Sequence, residues 1–180
     1  MDFSIIVLFV ILIVVLIANV VGLYWFGWML PPLVSGGGPY VPSRPERVDI
    51  MIAMAKLQPS DKTCDFGSGD GRVVIAAAKA GAGMNVGYEV HPGLVRSSRW
   101  NIKRAGVADK TKIFWKSMWK ADVHDVTVMF LYQIPYAIGK IGRKLKEELP
   151  PGARIVSNGF ILPDWEPVEQ KENVRLYVKV

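Results

Sequence analysis

The sequence contains few of the residues that form disulfides and metal centres. Its 180 residues include one cysteine and two histidines. A single cysteine, Cys64, excludes an intrachain disulfide and a metal centre built on a cluster of cysteines. Cys64 lies within a run that predicts a buried strand, so we expect it to be a small residue of the apolar core. We expect no bound metal.

Lysine and arginine are absent from the first 43 residues, where the only acidic residue is Asp2. From Phe3 to Gly22 every residue is apolar except Ser4 and Asn19. About 20 apolar residues are enough to cross the hydrocarbon core of a bilayer. A cleaved signal peptide fits poorly, because it needs a basic start and a shorter apolar run. A buried core helix is the other alternative, but this stretch has no polar face to turn toward water. We therefore predict one transmembrane helix as an anchor over residues 1–30.

The residues that follow the apolar run predict how the anchor ends. Three aromatic residues of the kind that lie at a membrane–water interface come first, namely Tyr24, Trp25 and Trp28. Pro31 and Pro32 are expected to stop the helix, since proline lacks the N–H that a helix interior needs. A glycine- and proline-rich linker is then expected over residues 31–45, with a flexible segment at 35–39.

Charge is distributed unevenly between the anchor and the remainder of the chain. All 22 basic residues and every acidic residue except Asp2 follow the anchor, which gives that part a net charge of +7. Because positive charge comes only after the span, we expect the C-terminal part on the cytoplasmic side of the membrane, or on the matrix side in an organelle. So basic a domain is attracted to anionic lipid headgroups or to an acidic partner. Nucleic acid is not expected as a partner, since no recognition motif with stacking aromatic residues is present.

Residues 46–180 predict a single α/β domain of ordinary size. Patterns typical of buried strands alternate with amphipathic patterns typical of helices, which predicts a doubly wound, Rossmann-like sheet with helices on both faces. The expected elements are a helix over 46–56, a strand at 63–66, a helix over 72–80, a strand at 84–89, a helix over 92–104, strands at 113–115 and 126–131, a helix over 138–149, and strands at 153–157 and 174–180.

A glycine-rich turn follows the first strand of this domain and leads into the next helix. It reads Asp65-Phe66-Gly67-Ser68-Gly69-Asp70-Gly71, which is G-x-G-x-G and not the G-x-G-x-x-G of a dinucleotide site. Carboxylates at Asp65 and Asp70 would repel a pyrophosphate and attract a cation. S-adenosylmethionine carries an ammonium and a sulfonium and has no phosphate. Glu89 ends the next strand, where a carboxylate can accept both hydroxyls of a ribose.

This arrangement resembles the first motifs of the seven-strand (class I) S-adenosylmethionine-dependent methyltransferases. An unrelated α/β domain with a glycine-rich turn is the alternative interpretation. The resemblance implies S-adenosyl-L-methionine as the cofactor, bound by Asp65, Gly67, Ser68, Gly69, Asp70, Gly71 and Glu89.

One position departs from the pattern of that class. Many of its members carry an acidic residue after the third strand, where it binds the amino group of adenine. This sequence has Lys116-Ser117-Met118-Trp119 at that place. We therefore expect adenine to be held by backbone groups, by the hydroxyl of Ser117 and by apolar contact at Met118. Tyr40, in the linker, is expected to close the cofactor pocket.

Four further segments narrow the resemblance. Together with the anchor they resemble the membrane-anchored protein-lysine methyltransferases whose eukaryotic members modify the mitochondrial adenine nucleotide translocase and the ATP synthase c subunit. The segments are Gly38 to Ser43, Phe130 to Pro135, Val156 to Phe160 and Pro163 to Pro167. The resemblance implies transfer of a methyl group to a lysine of a membrane or membrane-associated protein. Two alternatives stay open: a methyltransferase for a lipid or quinone, and a non-catalytic membrane adaptor that binds S-adenosylmethionine.

The acceptor site is expected beside the fourth strand. A lysine amine has a pKa near 10.4, so the site must favour the neutral amine, as a dry aromatic channel would. Tyr132, Gln133 and Pro135 follow the strand at the edge where open sheets bind ligands, and we predict that they form the catalytic acceptor site. Trp165 either lines the same opening or packs in the core. His91 is expected to begin a helix and not to act as a base.

Overall fold

The first element of the fold is a long helix that stands apart from the domain for most of its length. The computed structural model describes residues 2–180, without the side chains of residues 29 and 33. Helix α1 spans Phe3–Val34. Its stretch Phe3–Pro32 has a mean hydropathy of 3.3 and is long and apolar enough, by length and composition, to cross a membrane. The described side chains are exposed up to residue 27, so only the last turns contact the domain.

The prediction that two prolines end this helix is wrong, because α1 continues through them to Val34. A proline cannot donate a backbone hydrogen bond, but its carbonyl still accepts one. The carbonyl of Pro31 accepts from the N–H of Ser35 at 3.1 Å, and that of Pro32 accepts from the N–H of Gly37 at 2.9 Å. The carbonyls in the last turn of α1 are therefore satisfied by N–H groups of the residues that follow the helix.

The segment 35–44, which we call the strap, crosses from α1 to the domain. The indole Nε1 of Trp119 donates to the carbonyl of Ser35 at 2.9 Å. The hydroxyl of Tyr136 donates to the carbonyl of Gly37 at 2.7 Å. The glycine-rich stretch that the sequence predicts to be flexible is thus fastened to the domain at two points.

Seven strands form one sheet in the order β3-β2-β1-β4-β5-β7-β6. The first five are parallel to one another, whereas β7 is antiparallel to both β5 and β6. The strands are β1 (Lys62–Phe66), β2 (Met84–Glu89), β3 (Thr111–Trp115), β4 (Val128–Leu131), β5 (Arg154–Asn158), β6 (Glu169–Lys171) and β7 (Val174–Val178).

Helices cover both faces of the sheet, as the sequence predicts. Helix α5 (Pro135–Glu148) packs on one face against β1, β4 and β5. The opposite face is covered by α2 (Pro45–Ala55), α3 (Arg72–Lys79) and α4 (Pro92–Arg104). A single 3₁₀ turn, Met118–Lys120, occupies the connection between β3 and β4. The doubly wound α/β fold is thereby confirmed.

Most elements lie within two residues of their predicted bounds. The starts of β4 and α5 differ for a local reason, and one strand was not predicted. Strand β4 begins at Val128 because the N–H of Val126 closes a turn onto the carbonyl of Val123 at 3.1 Å. Helix α5 begins three residues earlier than expected, at Pro135, since proline suits the first turn of a helix. Strand β6 (Glu169–Lys171) was missed, because its residues are all polar and exposed and give no alternating apolar pattern.

Candidate functional site

A cavity of about 230 Å³ opens at the carboxyl edge of the sheet. Its walls come from the segments that follow β1, β2, β3 and β4, and from the strap and the last turns of α1. The strand order reverses between β1 and β4. Open α/β sheets bind their ligands at such a point, because the connections leave the two strands in opposite directions and open a crevice.

The glycine-rich loop after β1 brings its backbone to the floor of the cavity. A Cβ atom at Gly67 would lie 2.7 Å from Nε2 of Gln133, and one at Gly69 would lie 2.5 Å from Cε2 of Tyr40. Both glycines also have left-handed φ angles, +71° and +53°. Left-handed backbone and close approach together leave only glycine as a fitting residue at these two positions.

The carboxylate of Glu89 fixes this loop from the end of β2. Its Oε2 accepts the N–H of Gly69 at 2.9 Å. Its Oε1 accepts the N–H groups of Val90 and His91, each at 2.8 Å. A carboxylate has about four acceptor sites, so three backbone donors leave room for a hydroxyl donor from the cavity. Glu89 can therefore hold the loop and a ribose at the same time.

Asp65, near the end of β1, is a buried acid that faces other acids. Burial raises the pKa of its carboxyl well above the ordinary value of 3.8, and the nearby carboxylates of Glu89 and Asp70 raise it further. No hydrogen bond within the described part of the chain lowers it. A ligand cation beside Asp65 would relieve this repulsion, whereas a phosphate would add to it.

Asp70 differs from Asp65 because an arginine pairs with it. Nη2 of Arg72 lies 2.7 Å from Oδ2 of Asp70, and its Nε lies 3.0 Å from Oδ1. Burial raises the pKa of Asp70, but the hydrogen bonds and the positive charge of Arg72 outweigh burial and lower it overall. Nη1 of Arg72 also donates to the carbonyl of Ser43 at 2.6 Å. The pair therefore ties the glycine-rich loop to the strap.

Uncharged aromatic and amide side chains line the opposite side of the cavity. The ring of Tyr132 stacks on Phe160 with centroids 6.4 Å apart and an interplanar angle of 25°. Gln133 is buried, and its Nε2 donates to the carbonyl of Phe66 at 2.6 Å. Gln133 thus holds the end of β1, and the rings of Tyr132 and Phe160 form an apolar wall beside Gln133.

Two serines and a methionine contribute to the same cavity. The hydroxyl of Ser68 is buried and has no hydrogen-bond partner among residues 2–180. A buried hydroxyl without a partner at a cavity wall is a group that a ligand can satisfy. Ser117 and Met118 line the cavity from the 3₁₀ turn, and Met118 is almost fully buried.

The structure brings most of the predicted site residues together around the cavity. Three of the predicted residues do not line it, namely Pro135, Gly71 and Trp165. Pro135, predicted as catalytic, is instead the first residue of α5. Gly71 is the N-cap of α3, where a Cβ would lie 3.1 Å from the Cβ of Ser98. Trp165 packs edge-on against Tyr177 in the core, with centroids 6.4 Å apart. The predicted residues that do line the cavity are Tyr40, Asp65, Gly67, Ser68, Gly69, Asp70, Glu89, Ser117, Met118, Tyr132 and Gln133.

His91 begins α4, as predicted. Its Nδ1 accepts the N–H groups of Gly93 at 3.1 Å and Leu94 at 3.3 Å. Its ring also contacts Trp28 of α1, with centroids 3.9 Å apart. The sequence does not predict that contact, because its pattern places Trp28 at a membrane interface and no sequence spacing relates residue 28 to residue 91.

Other residues of the site were also missed. Arg72 follows the glycine-rich turn directly, and its charge beside Asp70 is the signal that would have predicted the pair. Phe160 lies in one of the segments that carry the family resemblance, but nothing local marks it as a partner of Tyr132. No sequence pattern marks the backbone carbonyls of the strap as hydrogen-bond acceptors, since every residue has a backbone carbonyl.

The seven-stranded sheet, its strand order and the cavity at its point of reversal define a class I, Rossmann-like methyltransferase domain. The crystal structure of an RNA methyltransferase from Salinibacter ruber, in complex with S-adenosyl-L-homocysteine, is similar to this chain with a TM-score of 0.71 and 38% sequence identity. The similarity covers 77% of this chain and 92% of that one.

The chain belongs to the ANTKMT methyltransferase domain family, whose model matches residues 65–169. It is 37% identical over 130 residues to the adenine nucleotide translocase lysine N-methyltransferase of Mus musculus, covering 72% of this chain and 56% of the mouse protein. It is 33% identical over 132 residues to a protein-lysine N-methyltransferase of Saccharolobus islandicus, covering 73% of this chain and 82% of that protein. The chain thus spans little more than half the length of its mouse relative.

Proposed function

We propose that this protein is a membrane-anchored methyltransferase that uses S-adenosylmethionine to methylate a lysine of a membrane or membrane-associated protein. The observation that carries the proposal is the group of acids Asp65, Asp70 and Glu89 around a glycine-rich loop at the point where the strand order reverses. The names of the mouse and Saccharolobus relatives support lysine as the acceptor.

The residues of the cavity fit the parts of S-adenosylmethionine. The cofactor supplies a methyl group already activated by a sulfonium. Asp65, a buried acid with no cation beside it among the residues that the structure describes, would bind the ammonium. Glu89 would accept a ribose hydroxyl at its remaining acceptor site while it holds the loop. Ser117 and Met118 would border the adenine, and the unpaired hydroxyl of Ser68 would gain a partner.

The neutral side of the cavity suits a lysine amine. Methyl transfer requires an in-line approach and an unprotonated nitrogen, so positioning and dryness matter more than a strong base. The stacked rings of Tyr132 and Phe160 would surround the lysine stem and disfavour its charged form by desolvation. Gln133 keeps the end of β1 in place beside them. No residue needs to be assigned as a general base.

Membrane anchoring by α1 is supported by exposure and by the charges near its end. A helix with apolar side chains exposed along most of its length is stable in lipid and costly in water. The segments 90–96, 116–121 and 132–140, which follow β2, β3 and β4 at the edge where α1 joins the domain, contain no acidic residue. They carry Arg96, Lys116, Lys120 and Lys140, all exposed. This edge would therefore face anionic headgroups.

The methyl acceptor is tested by incubating the full-length protein, in non-ionic detergent, with tritiated S-adenosylmethionine and a membrane extract of its source organism. Protein, lipid and RNA fractions are then separated, and the modified residue is identified by mass spectrometry. We expect label in protein, on lysine, and none above background with the Glu89→Ala variant.

Other outcomes of this experiment contradict particular parts of the proposal. Label in the lipid fraction would identify a lipid or quinone methyltransferase. Label in RNA would show that the methyl acceptor is RNA and not protein. RNA is the substrate class in the name of the Salinibacter relative. Binding of S-adenosylhomocysteine by calorimetry without label in any fraction would favour a non-catalytic adaptor.

The membrane anchor and its orientation are tested separately. Full-length protein should remain with the membrane pellet after carbonate extraction, because a spanning helix is not released by alkali. Protease added to right-side-out vesicles should leave the domain intact, and protease added to inverted vesicles should degrade it. Release by carbonate would contradict the anchor, and the reverse protection pattern would contradict the cytoplasmic side.

A further inference from the structure

The last turns of α1 are part of the cavity wall. Trp28 and Pro32 line the cavity together with Ser35, Gly37 and Gly38 of the strap. A helix that served only as a tether would need no contact with the site. The last turns of the anchor helix therefore form part of the proposed cofactor pocket.

Trp28 of α1 contacts His91 of the cavity wall directly. The indole ring lies tilted against the imidazole, with centroids 3.9 Å apart and an interplanar angle of 49°. His91 is 8% exposed. A Cβ at Gly93 would lie 3.0 Å from Cε1 of His91 and 3.5 Å from Cζ3 of Trp28, so the first turn of α4 is also close to both rings.

His91, which Trp28 contacts, is in turn hydrogen-bonded to Glu89, the proposed ribose-binding acid. The backbone N–H of His91 donates to Oε1 of Glu89 at 2.8 Å. The imidazole caps α4 through Nδ1, which accepts from Gly93 and Leu94. The imidazole is therefore held from one side by α4 and from the other by Trp28. Loss of the indole would expose the imidazole to water and loosen the backbone that positions the carboxylate.

We propose that Trp28 is a positioning residue for S-adenosylmethionine, acting through His91 on Glu89, so that the membrane anchor completes the cofactor pocket. The inference rests on the proposed function in one respect, that the cavity holds this cofactor. Because coupling between two sites is reciprocal, bound cofactor also strengthens the contact between α1 and the domain.

The test measures S-adenosylhomocysteine binding by calorimetry with full-length protein in non-ionic detergent. Trp28→Leu should weaken binding about three- to tenfold, the range expected for loss of a buried aromatic pair. Trp25→Leu is the matched control: Trp25 lies on the same helix, is 61% exposed, and its replacement should leave affinity unchanged. Trp28→Phe keeps an aromatic ring over His91 and should restore most of the affinity.

A second ligand separates positioning of Glu89 from general damage to the fold. The 2′-deoxy analogue of S-adenosylhomocysteine lacks one hydroxyl that Glu89 would accept. Wild-type protein should bind the parent compound much more tightly than the 2′-deoxy analogue. Trp28→Leu should reduce that difference, because the affinity that it loses comes from the ribose contact. A purely structural role would weaken both ligands equally and leave their ratio unchanged.

The outcomes distinguish this inference from the proposed function. If wild-type protein binds S-adenosylhomocysteine and Trp28→Leu binds it equally well, the positioning role is wrong and the cofactor assignment stands. An unchanged ratio between the two ligands also overturns the role. If wild-type protein binds neither ligand, the proposed function itself fails. Should Trp28→Leu not fold, the His91→Asn variant carries the same comparison, since asparagine keeps the N-cap acceptor and removes the ring that Trp28 contacts.

Discussion

The two sides of the cavity are built from opposite kinds of side chain. The side formed after β1 and β2 has three carboxylates, Asp65, Asp70 and Glu89, and a backbone opened by glycines. The side formed after β4 and β5 has the stacked rings of Tyr132 and Phe160 and no charged group among its lining residues. The acidic side is suited to a cationic donor, and the aromatic side to an amine that must lose its charge.

This difference assigns separate measurable effects to the two sides. Changes on the acidic side should alter donor binding, because a buried carboxylate interacts with a cation strongly in a medium of low dielectric. Changes on the aromatic side should alter methyl transfer at saturating donor and leave donor binding nearly unchanged. The predictions below are ordered by the size of the expected effect.

Replacement of Glu89 should have the largest effect on binding. Glu89→Ala removes the acceptor of three backbone N–H groups as well as the proposed ribose contact, so affinity for S-adenosylhomocysteine should fall about 100-fold or more. Gly67→Arg should abolish binding by filling the loop while circular dichroism shows a folded domain. The exposed Glu147→Ala is the control. Retained affinity in both site variants would contradict the site.

Replacement of Asp65 should weaken donor binding and stabilise the protein. Asp65→Asn removes the proposed partner of the ammonium, and affinity for S-adenosylmethionine should fall about 30-fold, as expected for a buried charge-assisted contact. The same change removes an acid whose ionisation the fold disfavours, so the melting temperature without ligand should rise at neutral pH. A fall in melting temperature would contradict the raised pKa of Asp65.

The pH dependence of this effect has a defined sign. The folded-state pKa of Asp65 lies above its ordinary value of 3.8, so the wild-type protein loses stability as pH rises from that value through the folded-state pKa. The gap in melting temperature between Asp65→Asn and wild type should therefore widen with pH and then level off. Donor affinity of the wild type should fall as pH is lowered through the folded-state pKa, and that of the variant should not.

Asp61 is the matched control for Asp65, because both are 6% exposed. Burial alone would raise the pKa of Asp61, but hydrogen bonds from Arg154, Thr127 and Gln58 outweigh burial and lower it. This stabilisation is present above the ordinary pKa and is lost as pH falls through the folded-state pKa. Asp61→Asn should therefore lower the melting temperature at neutral pH, which is the reverse of the result expected for Asp65→Asn.

Replacement of Tyr132 should separate the two sides. Tyr132→Ala opens the aromatic wall, so methyl transfer at saturating donor should slow about tenfold through loss of positioning and desolvation. Affinity for S-adenosylhomocysteine should change little. Tyr132→Phe keeps the ring stacked on Phe160, and its rate reports whether the hydroxyl contributes. A large loss of donor affinity in Tyr132→Ala would erase the distinction between the two sides.

The hydroxyl of Tyr40 should give the smallest effect. Tyr40→Phe keeps the ring over Gly69 and removes a hydroxyl that helps to lower the pKa of Asp70. Donor affinity should fall about threefold, the size expected for loss of one weak polar interaction. Tyr40→Ala should lose more, because the ring itself covers the loop. Equal affinities for Tyr40→Phe and Tyr40→Ala would show that ring contact does not contribute.

Several features of the fold and site follow from local sequence patterns. Strand β2 has the predicted bounds, Met84–Glu89, because a glycine turn precedes it and Pro92 follows it closely. The acidic side of the cavity was predicted almost completely, since its residues lie in one turn and at the end of the next strand. Strand β6 was missed because its pairing with β7 is made by backbone groups that any residue has.

The sequence by itself determined the alternation of strands and helices, the apolar helix and the acidic glycine-rich loop, because periodicity, glycine and charge act over a few neighbouring residues. Only the tertiary structure decided that α1 continues past its prolines, that Trp28 lies on His91, and that Tyr132 lies on Phe160. Such contacts join residues far apart in the chain. They depend on how the elements pack, and packing is fixed by the shapes of surfaces that no short stretch of sequence contains.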